Sequence, residues 1–292
     1  MIASKFPRLL LALAALIALS ALLMAACEDD DKDGGETPAA GETPADGGDE
    51  IDISAVPELQ DGVLTVGSDI AYAPFEFYIE GTEDADGLDI DIARAVAGVL
   101  GVEVEFLNTG FDGLIPSLDT DDFDVIVSAM TITDERSQEI DLVPYISVGT
   151  GIVVPAGNPN GISALEDLCG LTVAVQLGTI QVDLLNEQND ACDDPIDVVT
   201  FDTNPLAVED LRTGGADANF SDFPVAAEDA AQSGGELEVL DTQIAPEPYG
   251  IGVRKESPEL RDVIADAIAA IRESGMYDQI LADWGLEAVA LD

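Results

Sequence analysis

The chain has 292 residues, with 60 acidic and 10 basic side chains, no His and a formal net charge of −50. With no basic face to neutralise phosphates, nucleic-acid binding is not expected. Without His there can be no His–carboxylate triad, and no Cys pair has metal-ligand spacing, so neither a metal nor a cofactor is expected.

Lys5 and Arg8 precede an apolar run from Leu9 to Ala26, the pattern of a secretory signal over residues 1–26. The run ends in Met24-Ala25-Ala26-Cys27, which resembles a bacterial lipoprotein cleavage box and predicts lipidation of Cys27. A retained membrane anchor is the alternative, because about 18 apolar residues just span a bilayer. Small residues before Cys27 and an abrupt polar tail after it favour processing. The mature chain would keep 8 basic and 60 acidic residues, a net charge of −52. Such charge repels anionic membrane surfaces, so a covalent lipid is the expected tether. Residues 27–55 read as an acidic linker rich in Gly and Pro, with GETPA twice, which cannot bury a core and stays extended by charge repulsion.

From about Val56 strand and helix signals alternate. Val63 to Gly67 reads as a strand. Leu88, Ile90, Ile92, Ala93, Val96, Ala97 and Leu100 make a helical stripe. Val102 to Phe106 is a strand and Asp112 to Leu118 a short helix. Val125 to Ser128 is a strand that breaks into small and hydroxyl residues, and Thr133-Asp134-Glu135-Arg136 then signals a helix start. That corner gathers a lone Arg, Thr hydroxyls and the free amides of a helix N-terminus, a combination suited to a carboxylate.

Gly151 to Val154 and Gly250 to Val253 read as Gly-flanked strands. Between them come strands at Leu171 to Val175, Asp197 to Thr200, Ala218 to Ser221 and Glu238 to Leu240. Helices are expected from Gly178-Thr179 to about Asn186 and from Pro205 to Arg212. The last helices cover about Pro258 to Ser274 and Met276 to Trp284. Outside the cytoplasm Cys169 and Cys192 can form a disulfide, whose loop of about 24 residues is worth roughly 3 kcal/mol; two buried thiols are the alternative. The alternation predicts an α/β fold with largely parallel sheets. Roughly 235 ordered residues suit two lobes. Lobe one is expected over 56–150 plus 250–292 and lobe two over 151–249. The two chain crossings would form a hinge, and the ligand site would lie at the carboxyl ends of the strands.

Several motifs in order then carry a family likeness: YAPFEF (Tyr72 to Phe77), GLDIDIARAVA (Gly87 to Ala97), FDGLIPSL (Phe111 to Leu118), MTITDERSQEID (Met130 to Asp141), VAVQLGT (Val173 to Thr179), YGIGVRK (Tyr249 to Lys255) and SGMYDQILADWG (Ser274 to Gly285). On these the chain resembles the polar-amino-acid branch of ABC-transporter solute-binding proteins, a two-lobed, hinge-closing periplasmic-binding-protein-like (type II) fold. Leu88 stands where that family usually has an aromatic residue.

The resemblance implies a set of ligand contacts. Arg136 would hold the α-carboxylate, with Thr131 at the ligand's charged end. Ala129 would offer its carbonyl to the α-ammonium, which Asp222 would grip. Tyr72 and Phe111 would sandwich the side chain, and Ser128 would face its pocket. Gly178 and Thr179, with Ile180 just after, would begin a helix that meets the carboxylate. Asp69 and Gln176 would tune specificity. Glu76 is expected to point outward, and Tyr277 and Trp284 to be packing residues. Arg136 could instead pair with Glu135 or Glu139 on a helix surface. The implied protein is a monomeric, extracytoplasmic, lipid-anchored receptor that captures a polar or basic amino acid and delivers it to an ABC permease and its ATPase. The alternatives are a cyclohexadienyl-dehydratase-like enzyme and a ligand-sensing module without an importer.

Overall fold

The computed structural model describes residues 51–291. The secretory signal, the lipidation site Cys27 and most of the acidic linker lie outside the described residues. In chain order the strands and helices are β1 (Val63–Ser68), β2 (Ala71–Tyr72), β3 (Glu76–Tyr78), β4 (Ala85–Asp86), α1 (Leu88–Leu100), β5 (Glu103–Asn108), α2 (Leu114–Asp119), β6 (Val125–Ile126), α3 (Arg136–Glu139) and β7 (Ile140–Pro155). There follow β8 (Thr172–Gln176), α4 (Ile180–Asn189), β9 (Asp197–Phe201), α5 (Asn204–Thr213), β10 (Ala218–Asp222), α6 (Phe223–Gln232), β11 (Leu237–Val239), β12 (Ile244–Arg254), α7 (Pro258–Glu273) and α8 (Met276–Asp283).

The apolar stripe of α1 is wholly buried, as its spacing requires. All of it but Ile90, which packs with Ile70 and Ala85, joins Leu64 and Val66 of β1, Ile251 and Val253 of β12, and Leu260, Ile264 and Ile271 of α7 in one large core. Ile51 and Ile53 lie half-buried against this core, ahead of Val56. A second core joins Ile152 and Val154 of β7, Val173 and Val175 of β8, Leu185 of α4, and Ala218 and Phe220 of β10. Cys169 and Cys192 form a disulfide beside it, with Cα atoms 5.5 Å apart. Tyr277 and Trp284 are packing residues: Tyr277 donates to the Tyr145 carbonyl and the Trp284 indole to Asp91.

The sheet is mixed rather than largely parallel. β1 pairs parallel with β5 and β6, and β8 pairs parallel with β9 and β10. Two long strands, β7 and β12, run antiparallel between these groups, with irregular register at Ile244/Glu247 and Tyr249/Gly250. The segments expected as short strands at Gly151 to Val154 and Gly250 to Val253 are parts of these long ones. Their glycines allow close strand packing instead of ending the strands. A Cβ on Gly250 would sit 2.8 Å from Leu142 Cβ, and one on Gly252 would sit 3.0 Å from Ile140 Cδ1.

Three further elements differ from the sequence expectation. The helix signalled at Thr133 is one turn long, and the Thr133 hydroxyl accepts from the Arg136 amide. Helix α6 follows β10 without a loop, started by Pro224 near its N-terminus. The motif after β1 builds a small separate sheet of β2, β3 and β4.

Candidate functional site

The carboxyl ends of β1, β8 and β10 and the loop after β6 converge on one narrow pocket. Asp69 follows β1, Gln176 ends β8 and Asp222 ends β10. Nine of the expected residues line the cavity: Asp69, Tyr72, Phe111, Ala129, Thr131, Arg136, Gln176, Thr179 and Asp222. Ile180, Gln181 and Glu76 complete the wall.

Arg136 is the one basic side chain of the wall. It makes no ion pair with Glu135 or Glu139. Its Nη1 donates to the Thr131 carbonyl at 2.8 Å and its Nη2 to the Gly178 carbonyl at 3.0 Å. The guanidinium lies over the Phe111 ring, 5.3 Å from the centroid. Burial works against its charge and the Asp222 carboxylate opposes that effect. Across the cavity Thr179 is the N-cap of α4, and its hydroxyl donates to the Gln176 carbonyl. The first amides of α4 have no intrahelical acceptor and gather, with Arg136, donors of the kind that suit an anion. Gly178 lies outside the wall but permits this approach: its φ is +78°, and a Cβ there would come 3.0 Å from Asp112 Cβ.

The opposite character gathers at Asp222. Tyr72 donates its hydroxyl to Asp222 Oδ2 at 2.8 Å and accepts from the Asp222 amide at 3.1 Å. Gln181 donates to Oδ1 at 2.9 Å. Burial pushes the Asp222 carboxyl up to about 6, against these hydrogen bonds and the Arg136 charge. The buried Tyr249 hydroxyl also approaches this carboxylate and holds it down, but it falls short of a well-formed hydrogen bond. Asp69 accepts from Gln176 at 2.6 Å, and burial raises its carboxyl.

Two expectations are corrected. Ser128 does not face the pocket: its hydroxyl lies behind the wall, donates to Glu76 Oε1 at 2.8 Å and accepts from the Asp69 amide at 2.9 Å. Glu76 does not point outward: it is 1% exposed and lines the cavity. Flanking Phe75 and Phe77 suggest alternation with Glu76 on the solvent side. The chain turns between β2 and β3, however, so Phe75 and Glu76 both face inward. Burial and the neighbouring Asp89 carboxylate push Glu76 well up. Gln181 was not anticipated; its signal is a polar residue in the first turn of a helix whose N-terminus is already aimed at the site.

Behind this wall Ala129 holds a left-handed backbone, φ +44°, unusual for a residue with a Cβ. Asp89, at the start of α1, fixes it: Oδ2 accepts from the Ala129 amide at 2.6 Å and from the Tyr145 hydroxyl at 2.7 Å.

Known proteins resemble this chain in sequence and in fold. Residues 64–287 match the family of bacterial extracellular solute-binding proteins, family 3. The arginine-binding protein ArgT of Corynebacterium glutamicum is 30% identical over 306 residues, covering 99% of this chain and 95% of that protein. An ancestral arginine-binding protein solved with arginine bound is 37% identical with a TM-score of 0.72, covering 76% of this chain and 98% of that one. An ancestral amino-acid-binding protein described as a precursor of cyclohexadienyl dehydratase is 37% identical with a TM-score of 0.71, covering 77% of this chain and 96% of that one. With this match over most of its length and a two-lobed α/β fold closed around one polar cavity, the chain belongs to family 3 of the bacterial extracellular solute-binding proteins.

Proposed function

We propose that the protein captures an α-amino acid with a cationic side chain and presents it to a membrane ABC importer, acting outside the cytoplasm as a lipid-anchored receptor. The observation that carries this reading is the charge of the cavity: one guanidinium, Arg136, against three carboxyl groups, Asp69, Glu76 and Asp222. A zwitterion uses Arg136 and the α4 amides for its carboxylate, and Asp222 with the Ala129 carbonyl for its ammonium. Asp69 and Glu76 are then left for a cationic side chain, with Tyr72 and Phe111 as its aromatic walls. The names of the arginine-binding relatives support the same choice. An acidic ligand would meet uncompensated carboxylates.

In this reading residues 56–150 with 250–292 form one lobe and residues 151–249 the other. The ligand would bridge them and favour the closed state. Arg136 to Gly178, Tyr72 to Asp222 and Gln176 to Asp69 are contacts between those parts of the chain.

A second reading has one observation in its favour. Glu76 is a buried carboxyl in the cavity wall whose pKa burial raises well above the usual carboxylate range, the kind of group a dehydratase needs as a general acid. Thermal-shift and calorimetric titrations with the common amino acids and with prephenate separate the two. A receptor binds a cationic amino acid one to one and turns nothing over. Loss of prephenate with time would select the enzyme, and a response to acidic or apolar amino acids alone would refute the cation site.

A further inference from the structure

Asp89 has no place in the cavity wall, yet it is a fully buried carboxyl directly behind it. Its Oδ2 is occupied by the Ala129 amide and the Tyr145 hydroxyl. Among the described residues its Oδ1 has no donor, and the Glu76 carboxyl lies within hydrogen-bonding reach of it. Glu76 is arranged the same way: Oε1 accepts from Ser128, and Oε2 is buried with no donor among the described residues. Two buried acceptors on neighbouring carboxyls are expensive when both groups are ionised, because like charges add to the unmet desolvation. One proton held between them gives each a partner and removes the repulsion.

We propose that Glu76 and Asp89 share a single proton in the empty cleft, and that a cationic ligand side chain entering beside Glu76 displaces it to solvent. The displacement step rests on the cation-receptor reading above. The charges balance: the pair passes from one negative charge to two, the incoming cation compensates the second, and the proton leaves to buffer. Asp89 is thus a positioning residue that makes capture selective for cations, since a neutral side chain gives no compensation and leaves the proton in place.

The surroundings agree. Across from the pair, Asp69 and Asp222 contribute further negative charge, which favours keeping the proton. From β7, the Tyr145 hydroxyl holds Asp89. The Tyr72 and Tyr249 hydroxyls serve Asp222, and burial keeps both phenols neutral. Arg136, the cation of the pocket wall, is engaged with the Thr131 and Gly178 carbonyls and approaches Asp222 rather than the pair, and Arg272 of α7 donates to the Tyr145 carbonyl and lies over the Tyr277 ring.

The test has two arms, both on the folded chain. In the first, L-arginine and L-glutamine are titrated calorimetrically near neutral pH in buffers of different ionisation enthalpy, which counts protons. Arginine should release close to one proton and glutamine none, and from pH 7 down to about 6, above the range where Asp222 itself takes a proton, arginine affinity should fall about tenfold per pH unit while glutamine affinity stays nearly constant. Glu76→Gln should abolish the release. Asp89→Asn should do so too while keeping its fold, because one amide oxygen can still accept from both Ala129 and Tyr145. Arginine binding without proton release would overturn the displacement. The second arm needs no ligand: carboxyl carbon NMR across pH should show one carboxyl still protonated near neutrality, lost in Glu76→Gln. If every carboxyl is ionised at pH 7, the shared proton is refuted. If no cationic amino acid binds, the receptor reading and the displacement fall together, and the carboxyl titration decides the shared proton alone.

Discussion

Replacing Arg136 with Ala tests the anion end of the site. Two of its nitrogens already meet the Thr131 and Gly178 carbonyls, and its remaining donors are free for a ligand carboxylate. A hydrogen bond to a charged group contributes about 1.5–3 kcal/mol. A bidentate carboxylate contact, less the adjustment of water and the α4 amides, therefore amounts to roughly 4 kcal/mol, or about a thousand-fold in Kd. The free protein should lose less, at most a few kcal/mol, and keep its fold: among the described residues Arg136 makes no ion pair, water can replace its two carbonyl hydrogen bonds in part, and its stacking on Phe111 is worth about 1 kcal/mol. Calorimetric titration with the amino acid found by thermal shift, beside a melting curve of the free variant, reads both quantities. Arg136→Lys should bind more weakly than the parent, because an ammonium cannot repeat the planar fork. An affinity within tenfold of the parent for Arg136→Ala would refute the carboxylate assignment.

Two further predictions concern pH and packing. The Asp222 carboxyl is raised from its ordinary 3.8 to about 6, so between these values the folded chain holds a proton that the unfolded chain has lost. Stability of the empty protein should therefore fall as pH rises from about 4 to 6, by about 3 kcal/mol on this account. Affinity for the ligand ammonium should run the other way and weaken below about pH 6. Asp229, also raised to about 6 by burial, adds to the stability slope. Melting curves of Asp222→Asn should thus be flatter but not flat, and a slope equal to the parent's would sink the assignment. Gly87→Ala should lose about 3 kcal/mol or more, because Gly87 has φ +135° and a Cβ there would clash with the Phe75 carbonyl oxygen; a melting point near the parent's would show that the turn into α1 relaxes freely.

Local chemistry made most of the elements legible. The α1 stripe, the strand cores at Val63 to Gly67 and Val173 to Val175, and the amphipathic terminal helices follow from periodicities that burial enforces. The position of Arg136 after a strand that dissolves into hydroxyl residues was equally readable, since a lone cation in so acidic a chain is conspicuous. The long β7 and β12 were not, because their glycines imitate turn signals until the partner strand shows why a side chain would not fit.

Composition and motif order already supply the residue types for a site: one Arg at a strand edge, aromatics after strand ends, and acids to spare. Which acids count depends on packing. Glu76 and Asp89 look like solvated charges in a chain with 60 acidic residues, and a turn between β2 and β3 and the start of α1 bury them together. Ser128 likewise moved from the pocket to the layer behind it. Burial removes water as the partner of every polar atom, so the choice among identical side chains is made by which neighbours replace it, and those neighbours come from segments far apart in the chain.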